Sequence, residues 1–214
     1  MKEKKIMSKS NLAVALSKIA GFLNPNIKLE QYMTDSEVAA EILWFSYMKG
    51  DIQDKSVVDL GAGTGIIGLG AALLGAKKVY LVEIDELSIE IAKNNYNILK
   101  SEYLTDTQVI FVNSDIEEFS ENTDTVIENP PFGVKNKHAD RAFLEKAMKL
   151  ADNIYTLHKS ESLSFIEKFT KNNMYKVLEE VKLSYPLKAS YKYHSKKIHR
   201  FSVSLLYIKK VLSS

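Results

Sequence analysis

The sequence predicts an α/β protein: a doubly wound, seven-stranded, mainly parallel sheet with helices on both faces and one antiparallel strand inserted at an edge. Three observations carry this. Short apolar runs alternate with helix-spaced stretches along most of the chain, the pattern of parallel strands buried on both faces. The first such run passes directly into Gly61-Ala62-Gly63-Thr64-Gly65 and a stretch of small apolar residues, a tight turn from a strand into a closely packed helix. The last third holds two longer β-type stretches with no helix between them, so one of them runs against its neighbours.

Residues 11–22 place Leu12, Ala15, Leu16, Ile19 and Ala20 at helical spacing, and Asn24-Pro25-Asn26 ends that helix. After a polar-aromatic linker, Thr34-x-x-Glu37 reads as a capping box opening a helix that runs to Met48, closed by Gly50-Asp51. Strands follow at 56–60 and 78–84, with a helix at 66–74 between them and another at 86–100 after them. A third strand at 108–112 and a fourth at 123–127 lead to the Pro130-Pro131 turn. Then come a helix at 140–151, a strand at 153–157, a helix at 162–172, and the closing strands at 175–183 and 201–208. Residues 1–50 form a helical arm with a linker, and residues 51–214 the main domain, in one compact unit. Trp44, Phe45 and Tyr47 lie at helical spacing and read as core, and His158, beside a strand end, reads as structural.

The 214 residues contain no Cys, which excludes disulfides, thiolate zinc sites and Cys nucleophiles. No apolar run approaches the roughly 18 residues of a membrane span, and the Lys-rich start carries no apolar signal segment. The expectation is a cytoplasmic protein with no membrane contact. The net charge of +2 is uneven: residues 1–30 carry +4 and residues 181–214 carry +8, which leaves −10 for the middle. An acidic body with basic ends suits a polyanionic partner gripped by the ends. Between Tyr185 and Arg200 stand five Lys or Arg, two His, three Tyr and no acid. Basic residues neutralise phosphates and interleaved aromatics stack on unpaired bases, so this stretch reads as RNA-binding through Lys188, Tyr191, Lys192, Tyr193, His194, Lys196 and Lys197. Lys135 and Lys137 join them from the loop after the Pro-Pro turn.

The glycine turn follows a strand and opens a helix, and an acid, Glu83, stands at the end of the next strand, placed to accept from both hydroxyls of a ribose. Asp59, two residues before Gly61, stands where it can order the loop or meet an ammonium. Asp115, at the end of the third strand, stands where it can accept from an adenine amine. At the end of the fourth strand, Glu128-Asn129-Pro130-Pro131-Phe132-Gly133 makes a stiff turn, since two prolines fix φ and remove two N–H donors. That turn holds an Asn amide, whose oxygen can accept from an exocyclic amine, beside a Phe ring that can stack on a flat base.

Together these motifs resemble the class I S-adenosylmethionine-dependent methyltransferases, whose sheets are Rossmann-like and whose fourth strand ends in Asn/Asp-Pro-Pro-aromatic when the acceptor is a planar amino nitrogen. Further stretches resemble one family, the methyltransferase-like protein 5 group, which methylates adenine N6 in small-subunit ribosomal RNA. They are Leu29-Glu30-Gln31-Tyr32 with Thr34, Asp59 through Gly65, Asn129 through Gly133 with Lys135-Asn136, Leu157 through Ser160, and Ala189 through His194. Met33 stands where that family usually has Pro or a basic residue. The resemblance implies that Gln31, Tyr32 and Thr34 close over the methionine part of S-adenosylmethionine. Gly61, Gly63 and Gly65 would lie under it, with Glu83 on the ribose and Asp115 at the adenine. Asn129 and the Pro130 carbonyl would accept from the target amine, Pro131 would stiffen the turn, and Phe132 would stack on the flipped base, with no metal. It also implies a small zinc-binding methyltransferase activator as a possible partner. Two alternatives stand beside it: a protein glutamine-N5 methyltransferase, which shares the Asn-Pro-Pro-aromatic turn, and a non-catalytic cofactor-binding ribosome-assembly factor.

Overall fold

The computed structural model describes residues 8–103, 106–132, 139–187 and 199–211. Strands β1 (Ser56–Leu60), β2 (Lys78–Glu83), β3 (Gln108–Asn113), β4 (Thr125–Glu128), β5 (Asn153–Lys159), β6 (Tyr175–Leu187) and β7 (His199–Lys210) form one sheet in the order β3-β2-β1-β4-β5-β7-β6. The first five are parallel, and β7 runs antiparallel between β5 and the edge strand β6, as the sequence predicts.

Along each inner strand the side chains alternate between two cores. Val57, Val79, Leu81, Ile127 and Tyr155 face helices α1 (Lys9–Leu16), α2 (Ser36–Met48) and α3 (Ile66–Leu73), with Ala92 and Leu99 of α4 (Glu86–Glu102). Val58, Leu60, Tyr80, Val82, Val126 and Ile154 face α5 (Ala139–Leu150) and α6 (Leu163–Asn172). Each fully buried aliphatic side chain is worth about 1.5–3 kcal/mol. A one-residue slip of any strand would reverse both faces at once, so the register is firmly set. The arm helices contribute Leu12, Leu16, Ile42 and Leu43 to the same core as β1 and α3.

This register positions the site. Leu60 pairs with Val82 on one side and with Glu128 on the other. The turns after β1, β2 and β4 therefore emerge side by side, at the point where the strand order reverses and open α/β sheets bind ligands.

The strands β5 and β6 run on past the expected 157 and 183 to Lys159 and Leu187, β7 extends beyond 201–208 at both ends, β4 is shifted to Thr125–Glu128, and two helix boundaries differ for a visible reason. The first helix ends at Leu16 rather than continuing to 22. Past it the chain is captured by Asn95 of α4, whose amide accepts from Ala20 N (2.8 Å) and donates to Ala20 O (2.9 Å), taking the groups another helical turn would need. The second helix is capped by Asp35, whose Oδ1 accepts from Glu37 N at 3.0 Å, and not by Thr34. Asp sits one residue nearer the helix and supplies the charged acceptor that the N-terminal dipole favours. No helix among the described residues is long and apolar enough to cross a membrane.

Candidate active site

Gly61 and Gly63 have φ of +68° and +53°, a region that L side chains rarely adopt. Close approach adds a second constraint. A Cβ on Gly61 would lie 2.8 Å from the Phe143 ring, and one on Gly63 would lie 2.8 Å from the Phe22 ring. The glycine turn is thus a bare-backbone floor with an aromatic ring against it on each side. Its shape is fixed from behind by Asn95 Nδ2, which donates to Thr64 O at 2.9 Å, and by Gly61 N and Ala62 N, which both donate to Val82 O.

Two buried acids brace this floor. Glu83 accepts from Gly63 N (2.8 Å) through one oxygen and from Asp85 N (2.9 Å) through the other. Burial raises its pKa against the pull of those N–H groups. Asp59 is 2 % exposed and accepts from Gly68 N at 2.7 Å. Burial, with a further push from Glu83, lifts its carboxyl to about 7. Asp59 thereby ties the end of β1 to α3, the ordering role open to it in the sequence.

Above the floor, a cavity of about 220 Å³ is lined by Phe22, Gln31, Tyr32, Gly61, Gly63, Glu83, Ile84, Asp115, Ile116, Asn129, Pro131 and Phe143. A smaller recess of about 40 Å³ continues past Gly61 and Asn129 to Thr34, Asp59 and Ile67. The wide end carries Glu83 and Asp115, and the narrow end carries Asn129. Asp115 caps the turn at 116–118 through Oδ1, which accepts from Glu117 N at 2.9 Å.

The linker forms the roof, and its contacts are more specific than the sequence suggested. Gln31 does not lie over the narrow end. Its Oε1 accepts from Asn26 N (2.8 Å) and its Nε2 donates to Asp85 Oδ2 (2.9 Å), latching the linker to the start of α4. Burial pushes the Asp85 carboxyl up, but hydrogen bonds from Ser88 and Gln31 outweigh it and hold the group below the usual carboxylate range. The Thr34 hydroxyl, 5 % exposed, accepts from Asn129 Nδ2 at 2.9 Å. The Tyr32 hydroxyl donates to Asn129 Oδ1 (3.0 Å) and approaches Pro130 O (3.4 Å). Its ring stacks on Phe132, with centroids 5.5 Å apart and planes 16° from parallel. The Asn129 carboxamide is held with its oxygen toward the Tyr32 hydroxyl and its nitrogen toward Thr34.

The nine residues read as RNA-binding, Lys135, Lys137, Lys188, Tyr191, Lys192, Tyr193, His194, Lys196 and Lys197, lie outside the described residues. The strands that flank the basic stretch do end at the active-site edge: Val203 of β7 pairs with Lys159 at the end of β5, and the pairing with β6 runs on to Leu187 and His199. His158 is buried, 3.0 Å from Thr156 Oγ1, and burial lowers its pKa to about 4. Sequence reasoning missed Asn95, Phe22 and Phe143. For Asn95 a signal existed, since it is a polar residue on the buried stripe of α4 formed by Ser88, Ile89, Ala92 and Leu99.

Residues 37–158 match the methyltransferase small domain family. A relative in Methanocaldococcus jannaschii, described only as uncharacterized, is 35% identical over 96% of both chains. The rRNA N(6)-adenosine-methyltransferase METTL5 of Danio rerio is 38% identical over 89% of this chain and 93% of its own. Among solved structures, a Pyrococcus horikoshii protein described as a candidate RNA methyltransferase superposes with a TM-score of 0.84 at 40% identity, covering 95% of this chain and 98% of its own.

Proposed function

From the premise that this chain belongs to the methyltransferase small domain family, and within it to the methyltransferase-like protein 5 group, we infer that it is an S-adenosylmethionine-dependent methyltransferase acting on the N6 amine of adenine in ribosomal RNA. The finer reading is the small-subunit RNA as substrate, in the cytoplasm. The observation that supports the base specificity is the slot at the end of β4. Two carbonyl-type acceptors, Asn129 Oδ1 and Pro130 O, flank the Phe132 ring, and a planar ring bearing a hydrogen-bond donor already fits there in the form of Tyr32.

The residues present suit the cofactor. The floor leaves no room for a Cβ at Gly61 or Gly63, and buried Glu83 and exposed Asp115 stand at the wide end of the cavity. Glu83 would hold the ribose hydroxyls and Asp115 the adenine amine, with Gly61, Gly63 and Gly65 beneath and Asp59, Tyr32 and Thr34 around the amino-acid end. When bound there, S-adenosylmethionine supplies a methyl group activated by its sulfonium charge.

The chain's own contribution is positioning. A flipped adenine stacked on Phe132 would donate its two N6 hydrogens to Asn129 Oδ1 and Pro130 O. That geometry takes nitrogen electron density out of conjugation with the ring and aims the lone pair across the base plane. The acceptors then stabilise the positive charge that develops on N6, and the proton leaves the nitrogen afterwards. Preorganised acceptors of this kind act without reorganising during the reaction. The basic ends would hold the phosphates around the target base. A small zinc-binding activator is the partner that the resemblance implies.

Transfer of labelled methyl from S-adenosylmethionine to 16S-type RNA, followed by nucleoside mass spectrometry, tests this reading. The wild-type chain should yield N6-methyladenosine. Asn129→Ala, by analogy with loss of one preorganised charge-stabilising group, should lower kcat by about 10²-fold or more. Methylation of any other nucleoside, or an active Asn129→Ala, would refute the reading.

A further inference from the structure

Tyr32 belongs to the linker, 97 residues before Asn129 in the chain, yet its side chain reproduces both contacts proposed for the target base. Its flat ring lies against Phe132 at 5.5 Å and 16°. Its hydroxyl, the one donor it has, is 3.0 Å from Asn129 Oδ1 and 3.4 Å from Pro130 O. An adenine cannot share this slot. Two successive stacked contacts need about twice the separation of one, and the Tyr32 and Phe132 rings are separated by a single stacking distance. The acceptor that would receive an N6 hydrogen is already receiving a phenol hydrogen.

The segment carrying Tyr32 is pinned on both sides of it. Upstream, Gln31 is fastened to Asp85 at 2.9 Å and Asn26 at 2.8 Å. Downstream, Thr34 accepts from Asn129 at 2.9 Å and Asp35 caps α2. Between those pins the ring is one wall of both the wide cavity and the narrow recess. Its place in the slot is therefore set by the fold, and its departure would not require the roof to detach.

We propose that Tyr32 is a built-in stand-in for the target base: in the RNA-free enzyme its ring and hydroxyl fill the base slot, and adenine gains the slot only by displacing them. Such a plug keeps Asn129 Oδ1 satisfied and the recess shielded while no base is present, and every base pays the loss of the Tyr32 contacts before its own count. A base that cannot both stack and donate twice to the same acceptors does not recover that loss. The plug lowers the affinity for every base by the same factor, so it sets a threshold for entry and leaves the choice of adenine to Asn129, Pro130 and Phe132. The inference rests on the base-slot reading of Asn129, Pro130 and Phe132, and it predicts an effect opposite in sign to that of damaging those residues.

Tyr32→Phe tests it, since the ring and its packing remain and only the donor is lost. Steady-state methylation of 16S-type RNA would be run beside calorimetric binding of 9-methyladenine, with S-adenosylhomocysteine saturating the cofactor cavity. For Tyr32→Phe, the KM for RNA and the Kd for 9-methyladenine should both fall by about fivefold, the equilibrium worth of one ordinary intramolecular hydrogen bond. Asn129→Ala should weaken 9-methyladenine binding in the same assay. If Tyr32→Phe leaves both constants unchanged or raises them, or if the change is confined to a lower kcat, the hydroxyl assists the reaction and the plug is refuted. If wild-type enzyme makes no N6-methyladenosine and Asn129→Ala binds 9-methyladenine as wild type does, the base-slot reading itself fails and the plug falls with it.

Discussion

At the scale of single residues, the site depends on which end of one carboxamide faces the slot. The Asn129 oxygen makes the slot an acceptor for an amine, whereas its nitrogen would make the slot a donor. The Thr34 hydroxyl, buried and 2.9 Å from Nδ2, anchors the nitrogen end away from the slot. Thr34→Val keeps the shape and removes that partner from Nδ2, a loss of about 0.5–1.5 kcal/mol. Single-turnover methylation should slow by about tenfold in Thr34→Val, and Thr34→Ser should recover most of the rate. An unslowed Thr34→Val would mean that the carboxamide is oriented by something else. The sequence displayed Asn129 and Phe132 through a short motif, because two adjacent prolines are a local signal. It did not display what orients them, because Thr34 lies 95 residues away and a lone Thr in a linker reads first as a helix cap. Asp35 takes the cap instead, and that leaves the threonine hydroxyl for the site.

At the scale of elements, α4 does more than cover the sheet. Asn95 is fully buried and makes three bonds, two to the main chain of Ala20 and one to Thr64 O. It joins the arm, the glycine turn and the helix with one side chain. Asn95→Ala would leave Ala20 N, Ala20 O and Thr64 O without that partner, a loss of about 2–4 kcal/mol if no water enters. The urea midpoint should drop accordingly, and S-adenosylhomocysteine should bind more weakly because the turn beneath it is no longer held. Normal cofactor affinity in a destabilised Asn95→Ala would show that the turn holds its own shape. The inner strands β1, β2 and β3 were legible almost to the residue, since their apolar runs are long enough to outvote local ambiguity. The expected ends of β6 and β7 fell short, because their largely polar tips pair only with each other among the described residues. Helix ends were legible only where the deciding group is near in sequence. The end of α1 is set by a residue 75 positions away, and no local pattern carries that.

At the scale of the whole molecule, three buried titratable groups on the sheet give stability a pH profile that the +2 net charge does not suggest. Glu128, next to Asn129, accepts from Thr156 Oγ1 at 2.8 Å through one oxygen, while the other has no partner among the described residues. Burial, opposed by Thr156 and reinforced by Asp59 and Asp140, raises its pKa from 4.5 to about 8. Its proton is held more tightly in the folded chain, so its contribution is complete below about 4.5 and is lost as pH rises through 8. Asp59, raised from 3.8 to about 7 by burial, acts in the same direction over a lower window. His158 acts in the opposite direction. Burial lowers it to about 4, so the folded chain resists its protonation, and its contribution is complete above about 6.5 and lost as pH falls to 4. Between about pH 7 and 8 Glu128 loses much of its proton while Asp59 loses the rest of its own, so both contributions are declining there. The wild-type urea midpoint should therefore fall across that interval. In Glu128→Gln, which keeps the shape and an acceptor for Thr156 Oγ1 but cannot ionise, the midpoint should fall less steeply. The gap between the two proteins at pH 9 should be on the order of 2–4 kcal/mol, after discounting for relaxation around the charge. On the acid side, His158 opposes the gain from Glu128 and Asp59, so His158→Gln should make stability rise more steeply than in wild type as pH falls from 6.5 to 4. If Glu128→Gln declines in parallel with wild type from pH 7 to 8, then Glu128 is already ionised there in the folded chain, and the end of β4 beside Asn129 carries a buried negative charge instead of a neutral acid.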